Sequence, residues 1–366
     1  MSPVLTEDAT RFVGKLTFDA LAIERARTSL WDEAEPIPHT SLGQSADLVV
    51  IAPATARVIG KYAAGISDDL LTATLLATRA PVLVCPAMHT EMWEHASVQE
   101  NLATLRRRGA HVLEPAVGRL AGGDVGAGRL PEPPEIVAAI ERVLAPKDLD
   151  GARVLVSAGG TREPIDTVRV VTNRSTGKQG YAIAAEAASR GATVTLVTTV
   201  ERDAPPGVTD VVRVATAAEM EEAIVPRGAG LDVIVMAAAV ADFRPKDPAD
   251  HKVKKDEGMS EIVLEPTHDF LVDLGKAKPA GQVLVGFAAE TSGLRDNAVG
   301  KLRRKNLDLI VANDVGAPGV GFEHDTNAVL LLFADGRELE VPLTDKRTVA
   351  AAVVDAVVEL RSTRAK

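Results

Sequence analysis

Seven short apolar runs constrain this chain more than any other feature: DLVVIAPAT from Asp47, APVLVCPAM from Ala80, RVLVSAGGT from Arg153, TVTLVTT from Thr193, DVIVMAAAV from Asp232, QVLVGFAAE from Gln282 and DLIVAND from Asp308. None alternates apolar with polar residues. Strands of that kind are buried on both faces, as in parallel sheets covered by helices. The stretches 178–190, 217–225 and 294–305 between them have helical character, and strand-helix alternation specifies an α/β architecture. NAVLLLFADGRELEVPL, from Asn327, reads as a hairpin turning at Asp335-Gly336. A helix expected over 135–144 gives way to APKDLDG before a fresh strand opens at Arg153. At roughly 150 residues per domain, 366 residues make about two domains. With no internal repeat, these are two different doubly wound, Rossmann-like domains with mainly parallel sheets, 1–145 and 151–366. Residues 1–30 hold a single glycine, Gly14, and no apolar run with a tight turn. The first domain is therefore expected to lack its opening βα unit.

Composition narrows the function classes. Aromatic residues are only 3% against 46% hydrophobic, so the cores must be built from Ala, Val, Leu and Ile. Asp+Glu 51 against Lys+Arg 41 leaves a charge of -10, which disfavours nucleic-acid or membrane-surface partners. One cysteine excludes a disulfide framework. No apolar run approaches the roughly 18 residues of a membrane span, and the acidic start MSPVLTEDAT lacks a secretory leader's pattern. The expectation is a cytoplasmic protein.

The common nucleotide fingerprints fail. Gly126-Ala127-Gly128 follows no expected strand, and in Ser175-Thr176-Gly177-Lys178 the upstream glycine of a P-loop is missing and Gln179 replaces its Ser/Thr. What remains is polar residues at strand ends, where open α/β sheets bind ligands. Gly159, Gly160 and Thr161 close one strand, and the segment Asn173–Gly180 leads into a helix whose N-terminal amides suit an anion. Small residues at 237–239 admit a flat ligand, with Asp242 next. Lys252, Lys254 and Lys255 form a basic cluster, and Lys301 and Lys305 share a helical face. Taken alone, a glycine turn is often only a turn and a lysine run is usually a solvated surface. Several lysines near strand ends of an acidic chain point instead to a triphosphate or a phosphorylated substrate. In the first half, His39 and His89 stand beside strands, Asp68-Asp69 reads as a helix N-cap, and Cys85 reads as a core thiol.

The ordered series Pro38-His39, SADLVVIAPATA, GISDDLLTATLLA, PAMHTEMW, GRLAGGDVGAGRL, SAGGTREPIDTVR, NRSTGKQGYAIA, MAAAVADFRP, HKVKK, GFAAET and KNLDLIVAND covers nearly the whole chain. It closely resembles the bifunctional phosphopantothenoylcysteine decarboxylase/phosphopantothenate–cysteine ligases of coenzyme A biosynthesis. The resemblance implies a ligase in the second half. It would activate 4'-phosphopantothenate with CTP, with Mg2+ assisting, and pass the acyl-cytidylate to cysteine. Asn173 matches the asparagine that contacts the acyl-cytidylate, and Lys252 the lysine of the basic loop. Met236, Ala237, Ala238 and Asp242 match the nucleotide-binding strand end. His268, Asp269, Phe270, Leu271 and Phe287 match further CTP contacts, and Lys301 and Lys305 the pair near the triphosphate. Gly159 and Gly160 fall in the same ligand-binding edge. No protein metal ligands are implied.

For the first half the resemblance implies an FMN-dependent decarboxylase, with His39 as the essential base and Ala52, Pro53, Thr55 and Met88 around the flavin. The family's asparagine for the substrate carboxylate is His89 in this chain, and its proton-donating cysteine falls at Gly122. The family also implies a homo-oligomer, dimeric through the ligase and trimeric or dodecameric through the decarboxylase. An alternative reading is a ligase alone, with the first half an oligomerisation scaffold.

Overall fold

The computed structural model describes residues 1–31, 37–254, 261–316, 319–322 and 324–364. They form two compact units, Met1–Ala145 and Pro146–Lys366, each with its own core.

The first unit begins with α1 (Lys15–Leu21) and α2 (Pro38–Ser45), and among its described residues no strand precedes β1 (Val49–Ala54). Then come α3 (Ala56–Ala64), α4 (Leu70–Ala77), β2 (Val82–Pro86), α5 (Thr90–Glu94), α6 (Ala96–Arg107) and β3 (His111–Val112). The three strands lie side by side in parallel, in the order β1-β2-β3. A hairpin of β4 (Ala116–Arg119) and β5 (Val125–Arg129) leads to α7 (Pro133–Leu144). The uninterrupted apolar character of β2 has a direct cause. Val82 and Val84 pack with Leu102 and Leu105 of α6 on one face, while Leu83 and Cys85 pack with Ala139 of α7 on the other. Burial pushes the Cys85 thiol up to about 11, so this cysteine is inert core.

The second unit is built on β6 (Arg153–Ala158), α8 (Lys178–Ser189), β9 (Thr193–Thr198), β10 (Asp210–Arg213), α9 (Ala217–Ile224) and β11 (Val233–Met236). It continues with α10 (Phe270–Ala277), β14 (Val283–Glu290), α11 (Leu294–Arg304), β15 (Leu309–Asp314), β16 (Thr326–Phe333), β17 (Glu338–Asp345) and α12 (Lys346–Arg364). Two small hairpins decorate the loops, β7 (Arg162–Pro164) with β8 (Val170–Thr172) and β12 (Phe243–Pro245) with β13 (Leu264–Pro266). The main sheet runs β10-β9-β6-β11-β14-β15-β16-β17, parallel as far as β15 and antiparallel over the last two strands. Helices α8 and α12 bury one face against Val154 and Val156, and α9, α10 and α11 the other against Leu155 and Ile234. From β6 the chain winds outward through β9 to β10, then returns to β11 and winds the opposite way. The order therefore reverses between β6 and β11. In open α/β sheets that reversal opens a crevice beyond the carboxyl ends of the strands.

Candidate functional site

A cleft of about 380 Å3 opens at that edge of the second unit. Its floor is Met236 to Asp242 after β11. One wall is Ser175 to Gly180 at the start of α8, and the other is Thr267 to Leu271 with Lys301, Arg304 and Lys305. Phe287, Asn313, Asn327 and Lys346 complete it. The strand ends are tied together beyond the sheet. Ala239 donates its N–H to the Gly159 carbonyl at 2.8 Å, and Thr161 donates to the Ala239 carbonyl at 3.2 Å. The Thr161 hydroxyl accepts from the Ala241 N–H, and the Ser157 hydroxyl from the Ala238 N–H. Asn173 spans two loops: its Nδ2 donates to the Ala239 carbonyl at 2.5 Å and its Oδ1 accepts from the Ser175 N–H at 3.0 Å. A methyl group at Gly160 would run into that Oδ1, and one at Gly159 into Thr199. Both glycines serve backbone approach, behind the cleft surface rather than on it. Gly180 presses α8 onto Ser157 and Ala158, leaving no room for a side chain.

Met236, Ala237, Ala238, Asp242, His268, Asp269, Phe270, Leu271, Phe287, Lys301 and Lys305 all line this one cleft. Gly159, Gly160, Asn173 and Lys252 are not among its lining. Lys252 is exposed, on the chain beyond β12; Lys255 lies outside the described residues. Three lysines of the cleft are balanced by carboxylates. Lys301 pairs with Glu290 at 2.7 Å, Lys305 with Asp269 at 2.8 Å and Lys178 with Asp325 at 2.7 Å. His268 lies between Glu221 at 2.8 Å and Asp273 at 3.1 Å, and the Glu221 carboxylate raises its pKa.

In the first unit, the edge beyond β1 and β2 carries Ala52, Pro53 and Thr55 exposed, with Met88 and His89 half-buried. The Met88 N–H donates to the Gly128 carbonyl at 2.9 Å, and the Thr90 hydroxyl donates to the Ala127 carbonyl at 2.9 Å. Gly126 and Gly128 thus belong to β5 and are glycines because Thr90 and the Met88 carbonyl press against them. His89 is held at both ring nitrogens, by Glu91 at Nδ1 and by Asp124 at 3.3 Å from Nε2; Glu91 chiefly raises its pKa. A Cβ on Gly122 would lie 2.9 Å from His89 Nε2. His39, in the first turn of α2, keeps a buried Nδ1 with no hydrogen-bond partner among the described residues. Asp69 caps α4 with its carboxylate on the Thr72 N–H at 2.8 Å, and Lys61 pairs with both Asp68 and Asp69.

Comparison with known proteins matches both units. Residues 2–145 match the family described as flavoprotein, and residues 149–360 the family described as DNA/pantothenate metabolism flavoprotein C-terminal domain. The coenzyme A biosynthesis bifunctional protein CoaBC of Mycobacterium tuberculosis is 50% identical over 96% of this chain and 88% of its own length. The Bacillus subtilis protein of the same name is 46% identical over 98% and 89%. This chain belongs to the CoaBC family of bifunctional coenzyme A biosynthesis proteins. The crystal structure of the C-terminal domain of a CoaBC protein aligns with 59% of this chain and 99% of its own, at 40% identity and a TM-score of 0.51. As a CoaBC family member the chain has a flavoprotein domain and a ligase-type domain, both α/β with mainly parallel sheets. Sequence reasoning missed five polar residues of the cleft: Thr267, Arg304, Asn313, Asn327 and Lys346. Asn327 and Lys346 stand on the antiparallel strand and last helix, where the parallel-strand rule gives no warning. Asn313 is the penultimate residue of the DLIVAND run, and its place near a strand end was the available signal.

Proposed function

We propose that the second unit joins 4'-phosphopantothenate to cysteine at the expense of CTP, and that the first decarboxylates the product with FMN. The observation that carries the ligase reading is the single cleft at the strand reversal, where the nucleotide-type floor and two lysines meet. An oxygen of the acid's carboxylate attacks the α-phosphorus of CTP, the bond to the β-phosphate bridge breaks, and pyrophosphate leaves with both electrons. The free amine of cysteine then attacks the acyl carbon, CMP departs, and the nitrogen loses a proton. Both steps crowd anions together, so fixed donors that need no reorganisation lower the barrier. Lys301 and Lys305 can exchange Glu290 and Asp269 for phosphate, and the Asn173 amide orders the loops that close the floor. Lys252, exposed outside the cleft, is required once the substrates are in place. Mg2+ would neutralise phosphate charge. Among the described residues there is no group of three or more side chains able to hold a metal, so phosphate oxygens would supply much of its shell.

The first unit's residues fit a flavin. Ala52, Pro53 and Met88 leave a bare apolar shelf at a strand edge, and the orphaned Nδ1 of His39 awaits a polar partner. FMN supplies the two-electron chemistry that labilises a carboxylate next to an oxidised thiol carbon. His39 takes the proton, and His89, whose pKa Glu91 and Asp124 raise, pairs when protonated with the substrate carboxylate. Relatives matching both units bear the bifunctional name, which favours two activities over a ligase with a scaffold. Self-association belongs to the same reading, and Phe12, Leu16, Ile23 and Trp31 near the start of the first unit stand exposed. No helix among the described residues is long and apolar enough to cross a membrane.

The test is pyrophosphate release by the purified chain, with its visible spectrum recorded first. Release that requires both CTP and 4'-phosphopantothenate, and flavin absorption in the purified protein, are expected. Asn173→Asp and Lys252→Gln should each remove most ligase turnover while the fold is kept. Turnover at the parent rate in either folded variant, or no release from the folded parent, overturns the assignment.

A further inference from the structure

His89 stands at the carboxyl ends of the first unit's strands, on the edge that carries Ala52 and Pro53. The Ala87 N–H donates to the Ala54 carbonyl at 3.0 Å, which leads the chain from β2 across to the end of β1. The residues on either side of the histidine are fastened to β5, Met88 through its N–H and Thr90 through its hydroxyl, each at 2.9 Å. Backbone bonds thus fix where the imidazole stands. Its side chain is 34% exposed, so a ligand has access to it.

The turn between β4 and β5 faces the ring. The Leu120 N–H donates to the Asp124 carbonyl at 2.8 Å and the Gly123 N–H to the Leu120 carbonyl at 2.9 Å. That closed turn sets Gly122 against the imidazole, and a Cβ there would lie 2.9 Å from Nε2 and 3.6 Å from Cδ2. Nε2 therefore takes the space that a side chain at 122 would need. Gly122 brings no acid to this turn, and the described cysteine, Cys85, is buried in the core. The charged groups set against the ring are Glu91 on Nδ1 and Asp124, 3.3 Å from Nε2. Asp124 is the looser partner, 70% exposed and at the long end of hydrogen-bond distances, so Nε2–H is the donor able to change partners. Glu91 chiefly raises the ring's pKa, which keeps that proton available near neutral pH.

Decarboxylation replaces a C–COO− bond by a C–H bond, so a proton must reach the carbon that loses CO2. A cation paired with the departing carboxylate is beside that same carbon when CO2 leaves, and such proximity serves proton transfer. We propose that His89 is the acid of the decarboxylation as well as the carboxylate's partner: the Nε2 proton that pairs with the carboxylate passes to the carbon left behind. This rests on the decarboxylase reading and deepens it. The breaking bond leaves its electron pair in the C=C bond of an enethiolate. That pair forms the new C–H bond with the Nε2 proton, a sulfur pair restores C=S, and the imidazole is left neutral with Glu91 on Nδ1–H. The hydrogen and two electrons removed earlier from the thiol carbon, the chemistry FMN supplies, then return to it. The sulfur recovers the proton that His39 took, and solvent reprotonates Nε2.

The test gives the full chain and His89→Gln FMN and 4'-phosphopantothenoylcysteine, and weighs the product by mass spectrometry while the flavin band is followed. The glutamine amide still donates to a carboxylate but has no proton to release. The parent should form 4'-phosphopantetheine and recover its flavin absorption. His89→Gln should release CO2 once, yield a product two hydrogens short, keep its flavin band bleached and turn over roughly a hundredfold more slowly. A second measurement needs no cofactor. In FMN-free protein, 4'-phosphopantothenoylcysteine should raise the titration midpoint of the His89 ring in NMR, because its carboxylate replaces Asp124. Complete product at the parent rate from folded His89→Gln, or a ring midpoint that ignores the ligand, overturns the proposal. Loss of CO2 release together with at least tenfold weaker substrate affinity makes His89 a carboxylate anchor alone and overturns its role as acid. If His89→Gln does not fold, His89→Asn is judged by the same outcomes. A folded parent that releases no CO2 with FMN supplied overturns the decarboxylase reading and this proposal together, and leaves the ligase to its own pyrophosphate test.

Discussion

Gly122 and His89 show how much a single pair of residues can decide. The resemblance implies a cysteine and an asparagine at these two positions, and the structure brings the two departures next to each other. A Cβ on residue 122 would sit 2.9 Å from the imidazole nitrogen, so the histidine needs the glycine. Gly122→Ala should push His89 off Asp124 and lower its titration midpoint slightly, leaving it still raised by Glu91, read by proton NMR of the ring. The sign for stability follows from the direction of the shift. A raised histidine pKa stabilises the fold below the unfolded-state value, and the contribution fades as pH climbs through the folded-state value. The variant should therefore lose more stability at pH 6 than at pH 9 in thermal melts, and an equal loss at both would refute the coupling. The same logic of space governs Gly160. Alanine there collides with Asn173 Oδ1, so Gly160→Ala should cost about 1–3 kcal/mol and most ligase turnover. Denaturant unfolding and pyrophosphate release check the two parts. Neither effect is legible in the sequence, because a glycine shows only that space was wanted and not what fills it.

The elements were more legible than the residues. Each of the seven apolar runs is a strand of a parallel sheet, because burial on two faces leaves a signature that needs no context. The hairpin at Asp335-Gly336 was equally plain. Short strands left no such trace. β4 and β5 lie in GRLAGGDVGAGRL, where glycine replaces the apolar residues that would mark a strand, and β10 is four residues at a sheet edge. The basic cluster after β12 drew attention by its density in sequence, yet the lysines that line the cleft are Lys178, Lys301, Lys305 and Lys346, spread over three helices and a helix-terminal residue. Strand ends decide who meets whom, and only the fold supplies that. Asp69 is a case where sequence and structure coincide, since the aspartate before LLTATLLA caps α4 through a reciprocal bond with Thr72. Asp69→Ala should lower the stability of the first unit by about 1 kcal/mol, within the range for lost N-caps. A melting point unchanged to within a degree would assign the helix start to packing instead.

At the scale of the whole chain, the net charge of -10 and the anionic chemistry proposed for the cleft are at odds until the pairing is counted. Three cleft lysines already carry carboxylates, so arriving phosphates compete with fixed partners rather than meeting bare charge, and ligand binding should weaken steeply with salt. The chain also divides into units with separate cores, and domains of that kind commonly unfold as separate cooperative transitions. A ligand that binds only the native form of one unit raises that unit's stability by RT ln(1 + [L]/Kd), about 2.7 kcal/mol at a hundredfold excess over Kd. CTP should therefore raise the transition belonging to Pro146–Lys366, and FMN the one belonging to Met1–Ala145, in calorimetric scans of the intact chain. Limited proteolysis at each transition assigns it to its unit. If CTP moves the transition of the first unit instead, the cleft at the strand reversal is not where the nucleotide binds. If FMN moves neither, the bare shelf at Ala52, Pro53 and Met88 does not hold a flavin, and the ligase would be the activity left to the chain.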